Sequence, residues 1–532
     1  MNQVETVLAL LIVVAALAIV AKRIALPYPV LLVVAGLALG FVPGPPPLKL
    51  NPETVLLLVL PPLLYPAAVF TSWRDFRAHL SSILWLAVGL VLVTTLAIGW
   101  VAHALGGLPW AAAFALGAIV SPPDAVAATS IARRLHLPRR IVTILEGESL
   151  VNDATALVAY RFAVAAVLVG SSFSFGAASL WFLWVASGGV GLGLLIGWLG
   201  YHVQRRLDDP PIQITISLLT PFAAYIPAER LHISGVLAVV TAGLFLGWRS
   251  PRMLTSRTRI YAYVFWEIVV FLLNGLVFVM IGLELREILQ RLTSQSFAML
   301  ITQGVLLSAT AIVVRMLWVF SASHLPQRMS RRGRRREPSP PWQHAVIIGW
   351  TGMRGVVSLA AALAIPLTLH DGSPFPGRDY ILFSTFCIIF ATLVLQGLSL
   401  PAVIRSLGVV DDGAAELEER TARIKANEAA LAYLEELKGN NEIPPEILGR
   451  LRASYDDRLR QLDACADCSA EKNGARPATS LYQRLEQEAL TVERRTIIQL
   501  RDEYVINDEV LRRIQRDLDL AEARLRGSRG SD

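Results

Sequence analysis

The first 410 residues are dominated by apolar runs separated by short polar or Pro/Gly-rich breaks. A helix crosses the hydrocarbon core of a bilayer with about 20 apolar residues. We read such runs at 4–21, 28–43, 54–72, 80–106, 109–131, 139–171, 178–204, 212–227, 233–248, 261–284, 298–322, 343–366 and 380–406. Backbone polar groups in lipid need internal partners, so only helices or a closed barrel can span. Period-two alternation in ten-residue segments, the barrel pattern, is absent from the sequence. The first run carries no basic n-region and no small-residue cleavage site, so it reads as a span rather than a signal peptide. The predicted fold is an all-α polytopic membrane protein with about 13 transmembrane helices.

Charge divides the chain. Residues 1–410 hold 29 basic and 16 acidic residues, and residues 411–532 hold 20 and 26. The formal net charge of +7 is the sum of these opposed parts. Three cysteines cannot staple a chain of this length, which excludes a secreted disulfide scaffold. The predicted domains are a membrane body, 1–410, and a cytoplasmic helical C-terminal tail, 411–532. One set of alternate loops carries 20 Lys and Arg, the other 5. By the positive-inside rule the richer set is cytoplasmic, the N-terminus lies outside and the tail inside. Arg331–Arg336 reads as a topology determinant; binding to anionic lipid is the alternative.

Few charges remain inside the spans: Asp124, Glu146, Glu148, Asp153 and Glu267, with Arg161, Arg315 and Arg354. A charge at the bilayer centre costs about 2.5–3.5 kcal/mol, so each needs a partner, water or a function. The fifth run contains Ser121-Pro-Pro-Asp124. Two mid-span prolines remove backbone donors, and the freed carbonyls, Pro123 included, have to line protein or water. Broken helices at the midplane are how many transporters build ion sites. The sixth run places Glu146, Ser149 and Asp153 on one helical row and Glu148, Asn152 and Thr155 on the next. These groups offer oxygens, which suit hard cations; zinc, iron and copper are poorly supported. The twelfth run is loosened by three glycines around Thr351 and Arg354. It lies seven spans after the first break, the spacing of two inverted repeats joined by a seventh span. Glu267 and Asn274 share a face of the tenth run, and Glu267 is a candidate partner for Arg315 or Arg354, with a structural or a functional role. Arg161 reads as structural, His103 and His202 as interfacial, and Cys387 as a packed thiol. Cys465 and Cys468 form a CxxC without a second pair, so a reduced, exposed pair is the simpler reading.

Three motifs in this order, Ser121-Pro-Pro-Asp124-Ala-Val-Ala, Glu146-Gly-Glu148-Ser149-Leu-Val-Asn152-Asp153 and Gly352-Met-Arg354-Gly355, resemble the monovalent cation:proton antiporter-1 family of bacterial sodium/proton exchangers. The resemblance spans about Val4 to Arg405 and includes Leu60-Pro-Pro-Leu-Leu64. It implies a homodimer in the bacterial plasma membrane, with an inverted-repeat fold and two crossed unwound helices. It implies that Asp153 is the central ion and proton carrier, and that Asp124 and Ser149 complete a Na⁺ site. It implies that Glu148 and Asn152 support the site and that Arg354 pairs with Glu148. An Asn-Asp pair implies electroneutral exchange. Glu146, Glu267 and Thr351 are weaker candidates. Some relatives carry an acid where this chain has Tyr65-Pro66, and Pro123 stands where some carry Thr, which keeps a carbonyl but loses a hydroxyl.

The function expected is antiport of Na⁺ for H⁺ without a cofactor and without enzymatic chemistry; K⁺ or Li⁺ exchange is the alternative, and a cation channel the rival class. Physically, a cation and protons compete for Asp124 and Asp153, which couples the two flows. Intramembrane protease motifs are absent: Gly147-Glu-Ser149 is followed by Leu150. The tail predicts helices over 411–439, 446–463 and 481–526 and carries no nucleotide, calcium or kinase motif.

Overall fold

The computed structural model describes residues 3–24, 28–40, 52–135, 137–169, 175–291, 297–329, 341–369, 371–409, 411, 413–436, 445–467, 518 and 520. The described chain is almost entirely helical. Its one extended pairing is an isolated bridge between Thr368 and Pro374. Contacts divide it into two units, Met1–Asp411 and Asp412–Asp532.

The first unit contains α1 (Gln3–Ile24), α2 (Tyr28–Gly40), α3 (Pro52–Phe70), α4 (Trp73–Ala78), α5 (Leu80–Leu84), α6 (Val91–Gly106), α7 (Trp110–Val120), α8 (Ala125–Arg134) and α9 (Arg139–Val169). It continues with α10 (Phe175–Gln204), α11 (Pro210–Arg230), α12 (Gly235–Met253), α13 (Ser256–Arg291), α14 (Phe297–Met329), α15 (Trp342–Trp350), α16 (Val356–Leu363), α17 (Arg378–Ala391) and α18 (Gly397–Leu407). Among the described residues, each predicted apolar run falls mainly on one helix or on consecutive helical pieces. Among the described residues, seven helical stretches are long and apolar enough to cross a membrane. Four shorter apolar helices accompany them.

Two kinds of interruption occur. The fifth and twelfth runs break, at Ser121–Asp124 between α7 and α8 and at Thr351–Gly355 between α15 and α16. Two other runs pass through a π-helical turn without a break: Trp85–Leu90 joins α5 to α6, and Thr392–Gln396 joins α17 to α18. Such turns widen the helix by one residue and cluster at functional sites. The prolines of α3, Pro61, Pro62 and Pro66, leave that helix continuous.

The core is three apolar clusters. The first gathers residues such as Leu32, Ile141, Phe278 and Leu393, the second Leu116, Ile119 and Ile381, and the third Leu64, Leu150, Val239 and Trp266. Glycines allow close helix packing where backbone meets backbone. A Cβ on Gly117 would strike the Thr95 carbonyl, and one on Gly282 the backbone of α2. Small residues serve this purpose in membrane bundles.

In the second unit, α19 (Ala414–Glu436) and α20 (Pro445–Asp467) fall on the first two predicted tail helices. Arg452 of α20 meets Glu435 of α19 at 2.5 Å. Arg331–Arg336, Cys468 and nearly all of 481–526 lie outside the described residues, as does the side chain of Cys465.

Candidate functional site

The two broken runs meet. The backbone N–H of Asp124 donates to the Met353 carbonyl at 2.6 Å, tying one interruption to the other. Backbone groups freed by the breaks are satisfied across this junction, as lipid-excluded irregular backbone requires. Arg354 Nε donates to the Val120 carbonyl at 3.1 Å, and its Nη1 donates to the Gly352 carbonyl. Its own N–H donates to Thr392 Oγ1 at 3.1 Å, which brings in the π turn. Gly355 is needed where it stands, because a Cβ there would collide with the Asp124 carboxylate.

Arg315 of α14 performs the same service for the other half-helix. Its Nη1 and Nη2 donate to Glu148 Oε1 and Oε2 at 2.5 and 2.9 Å. Its Nε and Nη2 also donate to the Ile348 carbonyl, at 3.3 and 3.0 Å. Val120 and Ile348 lie near the C-terminal ends of α7 and α15. Each end therefore has a buried guanidinium against its partial negative charge. The expected pairing of Arg354 with Glu148 is corrected here: both Glu148 oxygens are taken by Arg315, and Arg354 hydrogen-bonds the carbonyls of the two breaks. The suggested Glu267–Arg315 pair is likewise replaced by Glu148–Arg315.

The two rows predicted on α9 divide as their spacing requires. Glu146, Ser149 and Asp153 line a cavity of about 460 Å³. Glu148 and Asn152 turn into protein, at 1% and 0% exposure. Asn152 Nδ2 donates to the Pro123 carbonyl at 3.1 Å, so the carbonyl expected as a cation ligand is already held by an amide. Thr155 Oγ1 donates back to Val151 at 3.3 Å.

The cavity also receives Pro122, Pro123 and Asp124 from the first break, Gly355 from the second, and Val357 and Ser358 from the start of α16. Its remaining wall is a helical stripe of α13, namely Tyr263, Trp266, Glu267, Val270, Phe271 and Asn274, facing a stripe of α3 that includes Leu60, Leu63, Pro66 and Phe70. Spacings of three and four residues put each stripe on one face. Thus Asp124, Asp153, Ser149, Pro123, Glu146 and Glu267 share the cavity. Thr351 does not line it; its hydroxyl donates to the Ile348 carbonyl at 3.0 Å. Pro66 lies in the cavity wall. The contribution of Ser358 was not foreseen, and neither was the role of Arg315, since pairing across 167 residues leaves no local sequence signal.

The other candidates are structural. Arg161 forms an ion pair with Glu229 of α11. His103 stacks on Trp110 at 3.9 Å. Cys387 packs against Gly304. No group of three or more His, Cys, Asp or Glu side chains able to hold a metal occurs among the described residues.

An all-helical membrane protein in which two broken helices meet beside a carboxylate-lined cavity has the architecture of a secondary transporter. The sequence profile described as "Sodium/hydrogen exchanger, transmembrane" matches residues 8–406, and the chain belongs to that family. An uncharacterized Na⁺/H⁺ exchanger of Mycobacterium bovis is 36% identical over 93% of this chain and 91% of its own length. A sodium, potassium, lithium and rubidium/H⁺ antiporter of Bacillus pumilus is 33% identical over 82% of this chain and 66% of its own. Among solved structures, the sodium proton antiporter MjNhaP1 of Methanocaldococcus jannaschii superimposes with a TM-score of 0.60. That match covers 76% of this chain and 99% of MjNhaP1 at 19% identity, and supports the fold.

Proposed function

We infer that the chain exchanges a monovalent cation, Na⁺ first, for protons across the bacterial plasma membrane, and that Asp153 and Asp124 carry both. The observation that carries this reading is the convergence of Asp124, Ser149 and Asp153 on one cavity beside the two breaks. A carboxylate pair holds one cation or protons, and competition for it couples the opposed flows without a further device. Ser149 adds a neutral oxygen. Pro123 acts through the backbone that Asn152 holds, and Glu148, Asn152 and Arg354 fix the frame. Glu146 and Glu267 belong to the cavity wall, and Thr351 to the second break. No cofactor enters.

The membrane domain is 1–410 and the tail 411–532. The loop charges support a cytoplasmic tail and an external N-terminus. The family resemblance supports a homodimer of inverted repeats, electroneutral exchange, and access alternating by rocking of one bundle against another. Exchange of K⁺ or Li⁺ by the same site is the second reading, favoured by the cation range in the name of the Bacillus relative.

Proteoliposomes loaded with a proton indicator test the reading. Addition of Na⁺, and separately K⁺ or Li⁺, should drive proton movement in the wild type and none in Asp153→Asn. Full activity of that variant would remove Asp153 from the site, and conductance without proton counterflow would make the protein a channel.

A further inference from the structure

Two polar side chains in the cavity wall have no part in the arrangement above. Asn274 of α13 and Ser358 of α16 both line the cavity and are each 1% exposed. Among the described residues, neither Oδ1 nor Nδ2 of Asn274 has a hydrogen-bond partner, and neither does the Ser358 hydroxyl. An unsatisfied buried polar group costs about 1–3 kcal/mol, and folded proteins retain few. Here three such atoms border one cavity.

Their placement gives them a use. Ser358 lies in the first turn of α16, just after Gly355, the residue that meets Asp124. Asn274 stands on the α13 stripe beyond Phe271 and Val270, apolar residues that offer it nothing. A hard cation leaving water needs several oxygen ligands. Selectivity among monovalent cations depends on the number and field strength of those oxygens. Asp124 and Asp153 supply charge, but charge alone discriminates poorly between ions of equal valence. An amide committed to neither side can turn its oxygen inward, and a free hydroxyl can rotate to suit. The polar atoms are closed to water in this conformation, so they become ligands through side-chain rotation as the site loads.

We propose that Asn274 and Ser358 are specificity-determining residues of the cation site, supplying neutral oxygens to the bound monovalent cation or to water it keeps. This rests on the antiport reading above.

The test uses the full chain in proteoliposomes, with apparent KM measured for Na⁺, Li⁺ and K⁺ at fixed pH. Asn274→Ala and Ser358→Ala should each raise KM by about tenfold, and unequally among the three cations. Ser358→Thr, which keeps the hydroxyl, should stay near the wild type. If Asn274→Ala yields no folded protein, Asn274→Ser and the Ser358 pair carry the comparison. Unchanged KM values in the alanine variants would overturn the proposal. So would an equal change for every cation that Ser358→Thr fails to rescue. A wild type that moves no protons on cation addition would instead defeat the antiport reading itself.

Discussion

Arg315 closes both terminal nitrogens on the two carboxylate oxygens of Glu148, and each side chain is only 1% exposed. The same guanidinium holds the Ile348 carbonyl at the end of α15. One residue thus neutralises a carboxylate on α9 and anchors a broken helix, linking three elements around the site.

Removing one partner from such a pair strands a buried charge, at a cost of about 3–5 kcal/mol. Arg315→Ala should therefore sharply lower thermal stability in detergent. The double variant Arg315→Ala with Glu148→Ala should be more stable than the additive sum of the two singles, because no charge is then orphaned. Strict additivity in melting curves would show that the pair is not coupled.

Arg354 plays a different part. Its bonds run to the Val120 and Gly352 carbonyls, not to a carboxylate. Arg354→Ala leaves carbonyls of both breaks unsatisfied, about 1–3 kcal/mol for each. We expect lower stability and lower transport, without the rescue by Glu148→Ala that Arg315→Ala should show. Rescue of Arg354→Ala by Glu148→Ala, in expression and melting assays, would contradict this division of labour.

Gly355 offers a test of the junction with little change in size. Its Cβ position is filled by the Asp124 carboxylate. Gly355→Ala should cut exchange by at least about tenfold, because a misplaced ligand costs catalytic geometry dearly. Gly449 in the tail, with open space around its Cβ position, should accept alanine without loss of stability. Equal tolerance at both positions would remove the steric argument.

The pH dependence follows from competition. Protons occupy the carboxylates at acid pH and block the cation; at alkaline pH protons are too scarce to complete the cycle. Exchange rate against pH should be bell-shaped. More Na⁺ should move the acid limb toward lower pH, since the cation then competes better, and fixed limbs at all Na⁺ concentrations would be inconsistent with a shared site.

Much of the site could be read locally. The paired prolines before Asp124 announced one break, and the glycines around Arg354 the other. The helical spacing of Glu146, Ser149 and Asp153 put them on one row, and that row lines the cavity. What spacing could not supply was pairing between distant helices. Glu148 is met by Arg315 rather than Arg354 because the long Arg315 side chain reaches it from α14, and both arginines looked equivalent as isolated intramembrane cations. The π turn carrying Thr392 also left no trace, since an extra residue in a turn does not alter an apolar run. Asn274 was placed on the face of Glu267 by periodicity, but its sharing a cavity with Ser358 depends on how α13 and α16 pack.

The central claim is that a cation and protons compete for Asp124 and Asp153. Apparent KM for Na⁺, measured in proteoliposomes across the acid limb, tests it most directly. Competition predicts that KM rises in proportion to proton concentration while the maximal rate stays constant. A KM independent of pH, with the maximal rate falling instead, would contradict the account.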